Sequence, residues 1–186
     1  MKLRTRFLQL KLKSQILLVC LVFILTACKK DEICDDPSLP CQTHEGKNTF
    51  GCLIDGVPFV ASVKFTVGGP VAVSGSFDEE SRLLLVQGNR GNDNGSIDAV
   101  RFMIEVNQGI SVYTLRVTSS SFIGYLNYVG DCEYFHDQNN KGTAEITFID
   151  EENNIIAGTF NMTLINPDCA SKQTLIITKG RFDFGY

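Results

Sequence analysis

From Thr49 to Tyr186 apolar and polar residues alternate, the period of strands rather than helices. Val100, Phe102, Ile104 and Val106 fall on one side, with Arg101, Met103, Glu105 and Asn107 on the other. Tyr113, Leu115 and Val117 repeat the pattern, as do Ala144, Ile146 and Phe148. It continues through Ile156, Gly158, Phe160, Met162 and Leu164, and through Phe182 and Phe184 set against Arg181 and Asp183. One apolar and one wet face mark antiparallel sheet. Turn chemistry separates the runs: Asp55-Gly56, Asp78-Glu79-Glu80-Ser81, Gly91-Asn92-Asp93-Asn94-Gly95, Asn107-Gln108-Gly109 and Glu151-Glu152-Asn153-Asn154. At about ten residues per strand the pattern predicts an all-β fold of about eight to ten strands. A sheet with one apolar face packs on another or closes on itself, so an antiparallel β-sandwich or flattened β-barrel is expected. Gly158 and Gly180 interrupt apolar runs and predict a bulge or close backbone approach. No internal repeat is evident.

The first 27 residues follow other rules. Residues 16–25 are ten apolar residues behind a basic run, too short to span a bilayer, which takes about 20. Their length and flanks are those of a signal-peptide core. Leu25-Thr26-Ala27-Cys28 follows at once, small residues before a cysteine, as a lipoprotein signal peptidase requires. The expectation is a lipoprotein signal peptide at 1–27, acylated at Cys28. An ordinary secretory signal with an incidental cysteine is the plainer alternative. Two acyl chains give stable anchoring where one is marginal. Residues 28–48, polar with Pro37, Pro40 and Gly46, read as the lipidated Cys and a flexible tether reaching about 25 Å, ahead of an all-β domain at 49–186. Lys29-Lys30-Asp31-Glu32 resembles a surface-export signal of lipoproteins in some Gram-negative bacteria. That resemblance implies an outer-membrane protein at the cell surface; without it, the periplasmic leaflet is the location.

Charge narrows the partners. Five of 17 basic residues (Lys2, Arg4, Arg6, Lys11, Lys13) precede residue 28, and no acid does. The rest carries 12 basic against 21 acidic residues, net −9, which argues against a nucleic-acid partner. Of seven cysteines, Cys20 lies in the signal segment and Cys28 is the lipid site, leaving Cys34, Cys41, Cys52, Cys132 and Cys169. An odd number in an oxidising compartment leaves one over. Cys34 and Cys41 can bridge locally. Cys52 and Cys169, at the first strand and before the last, can staple the domain's ends, leaving Cys132 unpaired. A buried cysteine acting as a small hydrophobe is the alternative.

Candidate chemistry is sparse. His44 lies in the tether, so His136 is the one histidine available for catalysis. Asp131-Cys132-Glu133-Tyr134-Phe135-His136-Asp137 is the densest set of ligand-type side chains, but its spacing matches no metal signature, and a solvated loop or hairpin end explains it. The loop Asn89–Asp98 raises calcium. In the EF-hand pattern Gly95 would place Arg90 and Arg101 where carboxylates are required, so the pattern fails. A hairpin or bulged turn at Asn94-Gly95 suffices. There is no Gly-x-Ser-x-Gly elbow, phosphate-binding glycine loop or dinucleotide fingerprint, which disfavours an enzyme. Neither cofactor nor metal is expected. Phe122, Gly124, Leu126 and Tyr128 share one face of a strand whose other face carries Ile123 and Tyr125. It is either a central buried strand or an exposed binding wall.

Three segments carry a further resemblance: Asn48-Thr49-Phe50-Gly51-Cys52-Leu53-Ile54-Asp55-Gly56, Ile155-Ile156-Ala157-Gly158-Thr159-Phe160, and Ile176-Ile177-Thr178-Lys179-Gly180-Arg181-Phe182-Asp183. Together they resemble a family of small all-β outer-membrane lipoproteins of unknown function from gut and marine bacteria of the Bacteroidetes type. The middle, 62–140, lies outside the resemblance. It implies fold class and location, transfers no catalytic residue, and adds weight to Cys52–Cys169. Two functions are expected nearly equally. One is a non-catalytic binding module for a small ligand, glycan or peptide, with glycans weakened by the absence of Trp. The other is a structural or interaction protein docking to an envelope partner. A hydrolase comes third.

Overall fold

The computed structural model describes residues 32–64, 67–115, 124–127, 132–136, 139, 142–170 and 172–186. The signal segment, Cys28 and the export-like residues 29–31 lie outside the described residues, as do Val117, Phe122, Ile123, Tyr128, Asp131 and Asp137. Glu32–Tyr186 form one unit, all-β, with no helix among the described residues. The eleven strands among the described residues are β1 (Thr49–Ile54), β2 (Val57–Val60), β3 (Val73–Asp78), β4 (Leu83–Gly91), β5 (Ile97–Glu105), β6 (Val112–Thr114), β7 (Gly124–Asn127), β8 (Cys132–Phe135), β9 (Gly142–Asp150), β10 (Ile155–Ile165) and β11 (Thr174–Gly185).

They make one antiparallel sheet in the order β2-β1-β11-β10-β8-β7-β5-β4-β3, with β9 on β10 and β6 on β9. The sheet curls into a half-barrel, consistent with the β-sandwich or flattened barrel expected. Apolar faces of β1, β10 and β11 meet those of β4 and β5. Phe102 lies 4.9 Å from Phe160 and 5.8 Å from Phe182 between ring centroids. Two glycines let the halves approach: a Cβ on Gly88 would stand 2.1 Å from the Phe50 ring, and one on Gly75 2.3 Å from the Phe184 ring. At one end the chain leaving β2 bridges to β4, Ser62 N donating to Asn89 O at 2.8 Å and Gly91 N to Ser62 O at 2.7 Å. Asp55 and Gly56, both at positive φ, form the two-residue turn of the β1–β2 hairpin, as Asp-Gly predicts.

The alternation holds strand by strand and is reset by bulges. Val100, Phe102, Ile104 and Val106 are buried while Glu105 and Asn107 are exposed. On β9 the register shifts opposite Ala157/Gly158, making Thr147 an extra residue. The faces exchange there. Phe148, expected inward, turns outward and stacks on His44, at 4.9 Å and 7°. Ile149 packs against the core instead. On β11 a second shift falls near Lys179, whose φ is 51°. It changes the inward set from Leu175 and Ile177 to Phe182 and Phe184. Both predicted glycine sites are close approaches: a Cβ on Gly158 would lie 2.3 Å from Glu145 O, and one on Gly180 2.6 Å from the Phe160 ring.

Residues 32–48 correct the expectation of a flexible tether over 28–48. They form an arm laid on the outer face of β11. Ile33 and Gln42 pair through their backbones, the Cys34–Cys41 disulfide closes the loop between them, and Leu39 is buried. Three outward residues of β11 grip the arm. Lys179 pairs with Asp36 at 3.0 Å. Arg181 reaches Asp35 at 2.9 Å and donates to Pro40 O at 3.2 Å. The Asp183 carboxylate accepts from Thr43 Oγ1, Glu45 N, Gly46 N and Lys47 N. Arg181 and Asp183 do face away from the core, as alternation requires, yet the arm leaves them only 3% and 1% exposed.

Candidate functional site

At the end of the half-barrel by the β1–β2 turn, the two halves of the sheet splay around a cavity of about 200 Å³. Three aromatic rings line it: Phe59 on β2, Tyr125 on β7 and Tyr134 on β8. They form a continuous row, Phe59 to Tyr125 at 6.2 Å and Tyr125 to Tyr134 at 6.3 Å. Ile54, Val57, Pro58 and Leu175 supply aliphatic wall. Arg90 near the end of β4 supplies the one charge in the lining.

Strand periodicity places Arg90 there. Leu84, Val86, Gly88 and Arg90 share the inward face of β4, and the strand runs past the core at its last turn of the pattern. Its guanidinium stacks on Phe59 at 4.8 Å, donates to Pro58 O at 3.3 Å and to Asp98 Oδ2 at 3.0 Å. Asp98, 2% exposed, also accepts from Asn92 Nδ2 at 3.1 Å. Burial, and then the carboxylate of Asp98 beside it, push the Tyr125 hydroxyl above its ordinary range. It therefore stays protonated and donates to Asp98. Tyr134 donates to Lys172 O at 2.9 Å, its hydroxyl 3.1 Å from Cys169 Sγ. The hydroxyl protons of both tyrosines are thus committed to the protein. Among the described residues, two of the five N–H donors of Arg90 are engaged, and a guanidinium cannot accept. The cavity therefore offers unspent cationic donors beside an apolar and aromatic wall.

The cysteines depart from expectation. Cys34–Cys41 forms, but Cys169 pairs with Cys132, not Cys52. Strand order decides this: β8 lies between β7 and β10, which brings Cys132 beside the loop joining β10 to β11. Asn166 Nδ2 donates to Glu133 O there at 2.8 Å. Among the described residues Cys52 is the free cysteine, wholly buried on β1. Burial pushes its thiol up to about 12, against a weaker opposite pull from Arg90.

Of the Asp131–Asp137 stretch, the described part is a strand rather than a ligand set: Tyr134 and His136 point inward, Glu133 and Phe135 outward. In the loop Asn89–Asp98 the carboxylate of Asp98 is taken up by Arg90, Asn92 and Tyr125. No group of three His, Cys, Asp or Glu side chains among the described residues can hold a metal ion. The Phe122–Tyr128 wall is described at Gly124 and Tyr125, both buried. Sequence reasoning missed Arg90 and Phe59 as site residues. An arginine at an inward position of an alternating strand was the available signal. Comparison of the chain with protein-family models, curated proteins and solved structures gave no match in any of the three.

Proposed function

We propose that this chain is an envelope lipoprotein whose β-domain is a non-catalytic binding module, taking a small apolar ligand with an anionic head. The observation carrying this reading is Arg90, with unspent donors, at the rim of an aromatic-walled cavity. Pockets of this kind orient apolar ligands with a few placed polar groups. At about 200 Å³ the cavity suits a molecule the size of an aromatic or short branched carboxylate. A free acid and the C-terminal residue of a peptide share that chemistry. The signal pattern ending at Cys28 and the resemblance to outer-membrane lipoproteins support an anchored protein, facing outward if the Lys-Lys-Asp-Glu signal operates. Since the arm is docked from Ile33 onward, four residues lie between Cys28 and Ile33, a span of at most about 18 Å. The domain would then be held close to the lipid surface.

Titration of the ¹⁵N-labelled chain with 3-phenylpropionate, 3-phenylpropanol and a peptide ending in phenylalanine tests the reading. The acid or the peptide is expected to shift resonances of Arg90, Tyr125 and Tyr134, the alcohol far less. Equal response to acid and alcohol would remove the anionic head; silence from all three would remove the site. The second reading, docking to an envelope partner, is favoured by Ile110 and Val112, 64% and 60% exposed beside β6, an edge strand among the described residues.

A further inference from the structure

The cavity and the root of the arm lie at opposite ends of the same strands. β11 begins at the cavity, where Leu175 lines the wall and Asp55 N of the β1–β2 turn donates to Ile176 O at 2.8 Å. It ends at the arm, where Asp183 takes its donors from Thr43 to Lys47 and Gly185 N donates to Asn48 Oδ1 at 3.4 Å. β4 covers the same length in reverse. Arg82, just before it, pairs with Glu151 on the β9–β10 turn, and Arg90 reaches the cavity. Gly46 of the arm packs on Ile155 at that turn: a Cβ there would stand 3.2 Å from the isoleucine side chain. Asp183 lies eight residues beyond Leu175, about 25 Å at 3.2–3.4 Å per residue of strand.

The described chain starts at the arm end. Glu32 pairs with Lys47 at 2.7 Å, and Ile33 pairs with Gln42, the residue before Thr43. Cys28 stands at most about 18 Å from Ile33. A lipid on Cys28 therefore keeps the arm end of the domain next to the bilayer. Turning the cavity onto the lipid would require the chain from Cys28 to run back over the about 25 Å that β11 covers, more than its full length. The arm end does not sink into lipid either. Glu79, Glu80, Glu151 and Glu152 are exposed on its turns, against Arg82. Like charge holds such an end off an anionic leaflet within a Debye length of about 8–10 Å.

We infer that the cavity opens at the end of the anchored domain remote from the membrane, and that its ligand is a water-borne carboxylate rather than the headgroup of a bilayer lipid. This rests on the anchored reading and on the cavity proposed above. It adds the source of the ligand, because a free acid and an anionic lipid present the same charge to Arg90.

The chain contains no Trp, so one introduced indole reports one end of the domain. Ile176→Trp marks the cavity end, where Ile176 is 52% exposed, and Glu152→Trp marks the arm end. The acylated full-length variants are placed in phosphatidylcholine vesicles carrying a dansyl-labelled phospholipid, and energy transfer from indole to dansyl is read. Transfer in Glu152→Trp is expected to exceed that in Ile176→Trp several-fold. Equal or reversed transfer in chains that float with the vesicles would overturn the inference and leave the anchor standing. Chains that do not float would strike the anchored reading and this inference with it. The source is tested on the native chain in the same vesicles. Added 3-phenylpropionate is expected to bind as it does in detergent, and phosphatidate in the bilayer to leave that binding unchanged. Displacement by phosphatidate would overturn the inference. No binding of the acid even in detergent would strike the cavity as a site, and the inference with it.

Discussion

Asp183 holds more donors than any other described carboxylate, four of them, all from an arm more than 130 residues away in the chain. Alternation with Phe182 and Phe184 places it off the core, and that much was legible. What could not be read was the cover, because the strand's own pattern carries no trace of a segment that arrives from elsewhere. Asp183→Ala would leave the buried Thr43 hydroxyl and three part-buried backbone donors without this acceptor, and hydrogen bonds to charged groups are worth about 1.5–3 kcal/mol. Urea unfolding is expected to show a loss of about 3 kcal/mol, with the arm more readily cleaved by protease. Asp36 works differently. Hydrogen bonds from Ser38 and then Lys179 hold its carboxyl down at about 2. A lowered acid contributes stability above its ordinary range and loses it as pH falls through the folded value. The Lys179 contact should therefore persist at pH 4, which the Asp36 carboxyl ¹³C shift would report. Cys52, the remaining thiol, is held protonated by burial. The native chain should resist iodoacetamide at pH 8 and take one label per chain on unfolding without reduction, apart from Cys20 and an unacylated Cys28 where the signal segment is retained.

At the scale of elements, the bulges mark the limit of reading strands from period alone. Ala144, Ile146 and Phe148 keep an unbroken alternation in sequence, yet Thr147 bulges and sends Phe148 outward onto His44. The signal lies on the partner strand, in Gly158, whose absent side chain lets Glu145 O approach. A pattern confined to one strand cannot show it. Overpacking costs about 1–3 kcal/mol, and Gly158→Ala should fall at or above the top of that range, since the clash is with backbone. The expected Cys52–Cys169 pairing failed for a topological reason, while Cys34–Cys41 forms. β8 enters the sheet between β7 and β10, out of sequence order, and the alternation that predicts strands is silent on their neighbours. The Cys132–Cys169 disulfide joins residues 37 apart, worth about 4 kcal/mol in the loop-closure model. Cys132→Ser with Cys169→Ser should lower stability by about that amount. Cys52→Ser should leave both disulfides intact in a peptide map.

For the whole molecule, composition and alternation already contained an all-β fold with a single apolar core. The cavity was less legible because its lining comes from six strands, β1, β2, β4, β7, β8 and β11, of which only β1 and β2 are joined by a motif the sequence shows. Tyr125, Tyr134 and Arg90 stood within stretches singled out by sequence for other reasons, while Phe59 did not. The anchored state makes its own prediction: Cys28→Ala should release the protein from membranes, and unchanged fractionation would remove the lipoprotein reading. The central claim is that Arg90 and the aromatic row form a binding site. Its most direct test is thermal unfolding of the native chain and Arg90→Gln side by side with 3-phenylpropionate. A ligand at 100 times its dissociation constant adds about 2.7 kcal/mol, or roughly 5–10 °C in a domain of this size. That rise is expected in the native chain, and little or none in Arg90→Gln. An equal rise in both, or none in the native chain, would contradict it.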